Sequence, residues 1–595
     1  VLAFSAARGR ADRASSGLPA GFVATADSAK FSAVFAASLA AALTSGAVSA
    51  QAPAEQHLNE SVPNRPAYIT PTPSGSFVLP SPGAAEAAPI DRPFAPAPTR
   101  TIARVIFRGN TVVATAELDA IAAPYLNRPV TSNEIEDLRV KLTRRYVDAG
   151  YINSGALIIA TPDSPDALVF EIVEGRLESI QTTGSGGLAP HYITSRLSTG
   201  DGVLNVDALR ERFQLLLSDP LIEQMNARLV PGSAQGLAEL DVDVTRAAPY
   251  TLSTYFNNYR PPSIGAEGVG IMGIAHNLTG QGDELDINEE APIEGGSALS
   301  SSVHWTMPLY YPGTDLLLQY DRGASAVTEE PLNVLGIQST LETVAVGLSQ
   351  VVFETLRQNV TLSLLHEWRS NRTSLLDQGF SFTPGEPAGT VSAPLWRFVQ
   401  DYSYRTERDV FALRSTISAV STNLQPIPGL PTPIEPQRNY DLWLLQAQYA
   451  RQTSFDDAQL VLRATIQATQ SHVLPIDQMA IGGDSTVRGY RENQLLVDNG
   501  QVYNIEYDMP VYTDSARHLA ASLGPFYDYG RGRDEGSSYQ SLSALGVAAQ
   551  VHWYGAEFDI SKAARLVYPH DLVTGRGNLQ DRGVYFQLRY TVSLR

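Results

Sequence analysis

The chain has 595 residues, which at ordinary domain sizes means about three to five domains unless one of them is a large barrel. Lys and Arg total 43 against 62 Asp and Glu, and the net charge of −19 argues against a nucleic-acid partner, which needs a cationic surface. Cysteine is absent, which excludes disulfide scaffolds, thiolate metal sites and cysteine nucleophiles and fits an extracytoplasmic bacterial chain.

Residues 1–50 read as an export-signal region. Lys30 precedes an apolar run from Phe31 to Leu43, and Ala47-Val48-Ser49-Ala50 offers small residues for cleavage before Gln51. The chain opens on Val1 and residues 1–29 carry no pattern, so translation is expected to begin nearer Lys30. Residues 51–98 are rich in Pro and Ala (Pro63, Pro66, Pro71, Pro73, Pro80 and Pro82 among them) and read as a stiff linker, with a weak helix over Ala52–Val62.

Two α+β units follow, over 101–175 and 176–247. In the first, Thr101–Val113 alternates as a strand and turns at Gly109-Asn110, and Ala114–Leu126 reads as a helix. Thr131 and Glu134 have the capping-box spacing. Ile135, Leu138, Leu142 and Tyr146 form the apolar stripe of the helix that follows, and Gly150 stops it. Ala156–Ala160 and Ala167–Val173 are expected strands, giving the order β-α-α-β-β. The same order recurs with a strand at Leu177–Thr182, helices at His191–Leu197 and Val206–Leu217, a break at Asp219-Pro220, and strands at Gln224–Val230 and Leu237–Val244.

From 249 to 595 helical periodicity gives way to alternation in segments of about ten residues, about 16 of them, as an even-stranded transmembrane β-barrel requires. Val584, Phe586, Leu588, Tyr590, Val592 and Leu594 share one face, opposite Tyr585, Gln587, Arg589, Thr591, Ser593 and Arg595. Tyr503, Ile505, Tyr507 and Met509 oppose Asn504, Glu506 and Asp508 in the same way. An apolar face suits lipid and a polar one suits a lumen. Trp443, Tyr449, Trp553 and Tyr554 are candidates for the interfacial belt.

Catalytic motifs fail. Gly268-Val269-Gly270-Ile271-Met272-Gly273 matches GxGxxG, but it lies in a strand-like segment with no helix after it to receive a pyrophosphate. Glycines there are expected to relieve crowding inside the barrel. His366-Glu367 starts like a zinc-protease motif, but Ser370 stands where the second His belongs, and no GxSxG occurs. No catalytic residue, cofactor or metal is expected.

One constellation remains. Ile481 to Asn493 forms a glycine-punctuated loop containing Val487-Arg488-Gly489-Tyr490, and Phe526-Tyr527-Asp528-Tyr529-Gly530 lies downstream on a strand. If Tyr527 and Tyr529 face lipid, Asp528 faces the lumen, where an Arg from an infolded loop supplies the charge-assisted partner it needs.

Val487-Arg488-Gly489-Tyr490 resembles the VRGY/F motif on the sixth extracellular loop of POTRA-containing outer-membrane protein transporters, and Phe526–Gly530 resembles their FxDxG strand motif. The two β-α-α-β-β units are similar to POTRA domains, through Phe107–Thr111, Ala149-Gly150-Tyr151, Val173-Glu174-Gly175, Asp219-Pro220 and Leu229–Gly232. Two such domains before a barrel of about 16 strands resemble the two-partner secretion branch, the haemolysin-activator and filamentous-haemagglutinin transporter type. This implies two periplasmic POTRA domains, an outer-membrane barrel, and export of a large exoprotein (haemolysin or adhesin type) without nucleotide hydrolysis. It also implies an Arg488–Asp528 contact supported by Val487, Gly489, Tyr490, Phe526 and Gly530. The implied partners are the exoprotein held by the POTRA domains, outer-membrane lipid, and the assembly machinery that inserts the barrel. An assembly factor for other barrels and a passive porin are the alternatives; the first usually carries three to five POTRA repeats and the second needs none. Two departures stand out: the Pro-rich 51–98 segment in place of an N-terminal plug helix, and Leu594-Arg595 in place of a terminal aromatic residue.

Overall fold

The computed structural model describes residues 74–79, 99–159, 166–200, 202–294, 299–425, 437–454, 458–568 and 577–595. The export-signal region and the weak helix over 52–62 lie outside them.

In the first α+β unit, helix α1 spans Thr115–Ala122 and α2 spans Ser132–Asp148. The α2 start is closed by the expected capping box: the Thr131 hydroxyl accepts from the Glu134 N–H at 3.3 Å, and the Glu134 carboxylate accepts from the Thr131 N–H at 2.7 Å. Leu138, Leu142 and Tyr146 are wholly buried, packing with Leu118, Phe170 and Ile172 over a three-stranded sheet. Ala167–Val173 is the central strand, parallel to Arg104–Arg108 and antiparallel to Gly155–Ile159. Gly109 turns with φ +83°, and a Cβ there would lie 2.6 Å from the Ile172 carbonyl oxygen. Glu174 then fastens that turn, accepting from the backbone N–H groups of Thr111 (2.6 Å) and Val112 (2.9 Å). Burial pushes the Glu174 carboxyl up, but the hydrogen bonds from Thr111, Val112 and Tyr146 outweigh it and hold the group below its ordinary value.

The second unit repeats the plan with Arg176–Thr183, α3 (Pro190–Leu197), α4 (Val206–Leu217), Ile222–Pro231 and Leu237–Arg246. Asp219, of the Asp-Pro break, accepts from the Tyr192 hydroxyl at 2.6 Å and the Leu221 N–H at 2.9 Å. Its sheet has a fourth strand the sequence did not suggest. Ser74–Val78, inside the stretch read only as a linker, runs parallel to Ile222–Pro231. The segment holds no Pro, so its N–H groups are free to join a ladder. Phe77 packs on the domain core with its ring centroid 5.4 Å from that of Phe213.

Among the described residues, sixteen long antiparallel strands from Tyr250–Asn257 to Val584–Leu594 close into a barrel. The short pieces Gln378–Gly379 and Thr390–Ser392 extend the wall beside Gln358–Leu375. Closure is continuous, the first strand pairing with the last from Tyr250↔Leu594 to Asn257↔Gln587. The expected alternation holds: Leu588 and Tyr590 are exposed while Tyr585 is buried, and Tyr503 and Ile505 are exposed while Asn504 and Glu506 are buried. The GxGxxG segment is the strand Gly268–His276, and a Cβ on Gly270 would lie 2.2 Å from the Tyr255 ring. Crowding therefore explains that glycine. His366 points outward between Trp368 and Trp396, at ring distances of 4.4 and 4.6 Å. No helix of the described residues is long and apolar enough to cross a membrane, which says nothing of the barrel strands.

Candidate functional site

Residues 469–498 connect the strands Gln459–Ala468 and Asn499–Asp514, and they form the sixth loop on the end of the barrel where the first strand, Tyr250–Asn257, turns into the second. Met479–Ile481 pairs with Leu495–Val497 as a small hairpin, and the chain reverses beyond it through Gly482 (φ +114°), Gly483 (φ +112°) and Gly489 (φ +98°). A Cβ on Gly489 would stand 3.0 Å from that of Ala563, on the strand Ala556–Arg565 of the wall. At this point only glycine combines a left-handed backbone with so close an approach.

The loop delivers Arg488 to Asp528. The Nε and one terminal nitrogen of Arg488 donate to the two Asp528 oxygens at 2.8 and 3.0 Å, and the Arg488 backbone N–H adds a third bond at 3.1 Å. The other terminal nitrogen donates to Glu506 at 3.0 Å. Asn504, paired with Asp528 across the ladder, donates to it at 2.8 Å and to the Thr486 carbonyl at 2.5 Å. Arg488 is 4% exposed and Asp528 0%, so the pair is dry, bidentate and fully hydrogen-bonded, the geometry in which a buried ion pair is tolerated. The guanidinium carbon lies 3.3 Å from the Phe526 ring centroid, so that aromatic floors the site.

The remaining motif positions shape the fit. A Cβ on Gly530 would lie 2.4 Å from Ile481 and 2.7 Å from Val487, so the wall is hollowed there to admit the loop. The Tyr490 hydroxyl lies within reach of two carbonyl acceptors, Ser543 (2.9 Å) and Val567 (2.6 Å), for its one proton, and the Tyr490 carbonyl accepts from the Tyr585 hydroxyl. Arg565 donates to the Gly489 carbonyl.

Further anchors were not singled out from the sequence. Arg491 makes a bidentate pair with Asp581 (2.6 and 2.9 Å) and reaches Glu329 at 3.0 Å, tying the loop to two others. Arg369, on the wall, holds Asp477 bidentately at 2.7 and 2.9 Å, and the Tyr440 hydroxyl donates to the same carboxylate at 2.5 Å. At the loop's root His472, Asp498 and Asp534 lie together. The Asp498 oxygens are already engaged by His472 (2.7 Å), the Glu535 N–H (2.8 Å), the Val473 N–H (3.2 Å) and Gln478 (3.3 Å), which makes the trio a brace. Outward Tyr503 and Ile505 made Asn504 and Glu506 legible as lumenal. Nothing in the order of residues tells that Asp477 meets Arg369 across the barrel.

Two POTRA-type domains before a closed barrel, with an arginine loop clamped to a wall aspartate, define a class: the POTRA-barrel protein translocators of the outer membrane. Residues 236–553 match the family model described as haemolysin secretion/activation protein ShlB/FhaC/HecB, and residues 100–175 match the POTRA domain, ShlB-type. The chain belongs to the ShlB/FhaC/HecB family. It is 22% identical over 482 residues to the outer membrane transporter CdiB of Dickeya dadantii, covering 78% of this chain and 82% of the relative. It is also 22% identical over 490 residues to the heme/hemopexin transporter protein HuxB of Haemophilus influenzae, covering 78% and 81%. The solved structure of CdiB from Escherichia coli superposes with a TM-score of 0.64 at 19% identity, over 90% of this chain and 97% of that one. The protein is thus an outer-membrane transporter of two-partner secretion, with its POTRA domains in the periplasm and a secreted exoprotein as its partner.

Proposed function

We propose that the POTRA domains take up the exoprotein as an added strand and that the clamped sixth loop holds the lumen in the arrangement transport requires. A sheet edge offers unpaired N–H and C=O groups to any extended chain. Ser74–Val78 already lies on Ile222–Pro231 as such a strand in cis, which supports strand addition there by exchange with that segment. The captured segment passes through the polar lumen, drawn outward by folding on the far side; the chain works as a conduit, hydrolysing no nucleotide. Its own insertion uses the barrel assembly machinery, and its apolar outer face meets outer-membrane lipid.

The observation that carries the reading is the dry Arg488–Asp528–Glu506 cluster between the loop and two strands. Charge reversal at either end (Arg488→Glu or Asp528→Lys) leaves like charges buried together. Export is expected to stop, also per molecule of the variant barrel that reaches the outer membrane. Unchanged secretion by a correctly inserted variant contradicts the role.

A further inference from the structure

The lipid-facing side of the strand Leu519–Arg533 ends in two arginines. Tyr527 is exposed and Asp528 is buried, so alternation places Tyr529, Arg531 and Arg533 outward, in line with Gln501 and Asn499 on the neighbouring strand. Both guanidinium groups sit against one ring, that of Tyr539, at 3.8 and 4.8 Å from its centroid. Among the described residues neither side chain has a hydrogen-bond or ion-pair partner, and the Arg533 Nε is buried and unpaired. The Asn499 Nδ2, opposite Arg533 across the ladder, is buried and unpaired as well. Elsewhere on the outer face, Arg322 has Glu342 at 3.8 Å and Arg451 has Asp409 at 3.8 Å. Two uncompensated cations sharing one ring repel each other, and they do so in a chain whose net charge is −19. An anion bound between them removes that repulsion and satisfies the unpaired donors.

We propose that Arg531, Arg533, Tyr539 and Asn499 form a binding site for the phosphate of an outer-leaflet glycolipid. A guanidinium stacked on an aromatic face keeps its planar edge free for bidentate phosphate binding. The place of the site selects an amphiphile: Tyr527, Tyr503 and Leu545 lie next to it on the hydrocarbon-facing wall, so acyl chains run down the strands from a headgroup held at the rim. Such a lipid would brace the wall that carries Asp528 on its other face.

The test is native mass spectrometry of the detergent-solubilised full chain, titrated with diphosphoryl lipid A and with its dephosphorylated form. Wild type is expected to retain one diphosphorylated lipid at about tenfold lower concentration than the dephosphorylated one, a preference that Arg531→Gln with Arg533→Gln abolishes. Tyr539→Ala, which keeps both charges and removes only their platform, is expected to weaken retention several-fold. Equal retention by wild type and the double variant overturns the proposal, as does equal retention of the two lipids by wild type. Full displacement by millimolar inorganic phosphate marks a free-anion site and equally overturns it.

Discussion

Gly530 and Asp528 stand two residues apart on one strand and face the same way, one by leaving space and the other by filling it with charge. Restoring a methyl group at 530 puts it within 2.4 Å of Ile481, so Gly530→Ala is expected to cost about 1–3 kcal/mol and to loosen the loop. Gly273→Ala, at a position where a Cβ meets nothing within 4 Å, should be neutral. The heat-modifiability of the barrel on gels reads both, and equal shifts for the two variants would show that space at 530 does not matter. Asp528→Ala leaves Arg488 buried against Glu506 alone and is expected to cost about 3–5 kcal/mol, because a buried charge loses its main partner. At this scale the sequence was legible where chemistry is local. The alternation around Asp528 assigned its face, and the motif pair named Arg488 as its partner. Glu506 and Asn504 were legible as lumenal but not as members of the clamp, since that depends on the register between two strands. Asp477 and Arg369 lie 108 positions apart, and only the closed barrel brings them together.

Among the elements, α2 is the most fully encoded, cap and stripe included. Hydrogen bonds, first from the Thr131 N–H and then from Arg128 and the Thr131 hydroxyl, bring the Glu134 carboxyl from an ordinary 4.5 down to about 2. A lowered folded-state value stabilises the helix above the unfolded value, and this contribution is lost as pH falls from about 4.5 toward 2. Hydrogen exchange of the 132–148 region should therefore quicken, relative to its intrinsic rate, between pH 6 and pH 3 in wild type and hardly at all in Glu134→Gln. A pH response in that variant as large as in wild type would remove Glu134 as its cause. Thr131→Ala is expected to cost about 1 kcal/mol through loss of the cap. The strand Ser74–Val78 was the least legible element: five residues between proline-rich stretches, whose partner Ile222–Pro231 lies far along the chain. Phe77 is its anchor in the domain core, beside the ladder and the Ser76–Asn226 hydrogen bonds, so Phe77→Ser should raise exchange along the 224–228 edge. Unchanged protection there would mean that the strand does not occupy the edge in solution.

At the scale of the whole molecule, one wall does two jobs. Its outward residues meet lipid, and its inward residues grip a loop long enough to cross the lumen and reach the strands Asn499–Asp514, Leu519–Arg533 and Gln540–Trp553, as well as two further loops. The barrel and its strand count were readable from periodicity, because lipid on one side and water on the other impose alternation on every strand; the two α+β units were readable from their repeated order, and their periplasmic place from the family resemblance. The identity of the cargo is not written in the fold, since strand addition reads the backbone more than the side chains. The most direct test of dedicated export compares the secreted and outer-membrane proteins of a deletion strain, the same strain complemented with the wild-type chain, and its parent. Loss of one or two large secreted proteins, restored by the wild-type chain with other barrels unchanged, is the predicted result. Depletion of many unrelated barrels, or an unchanged supernatant, would contradict it.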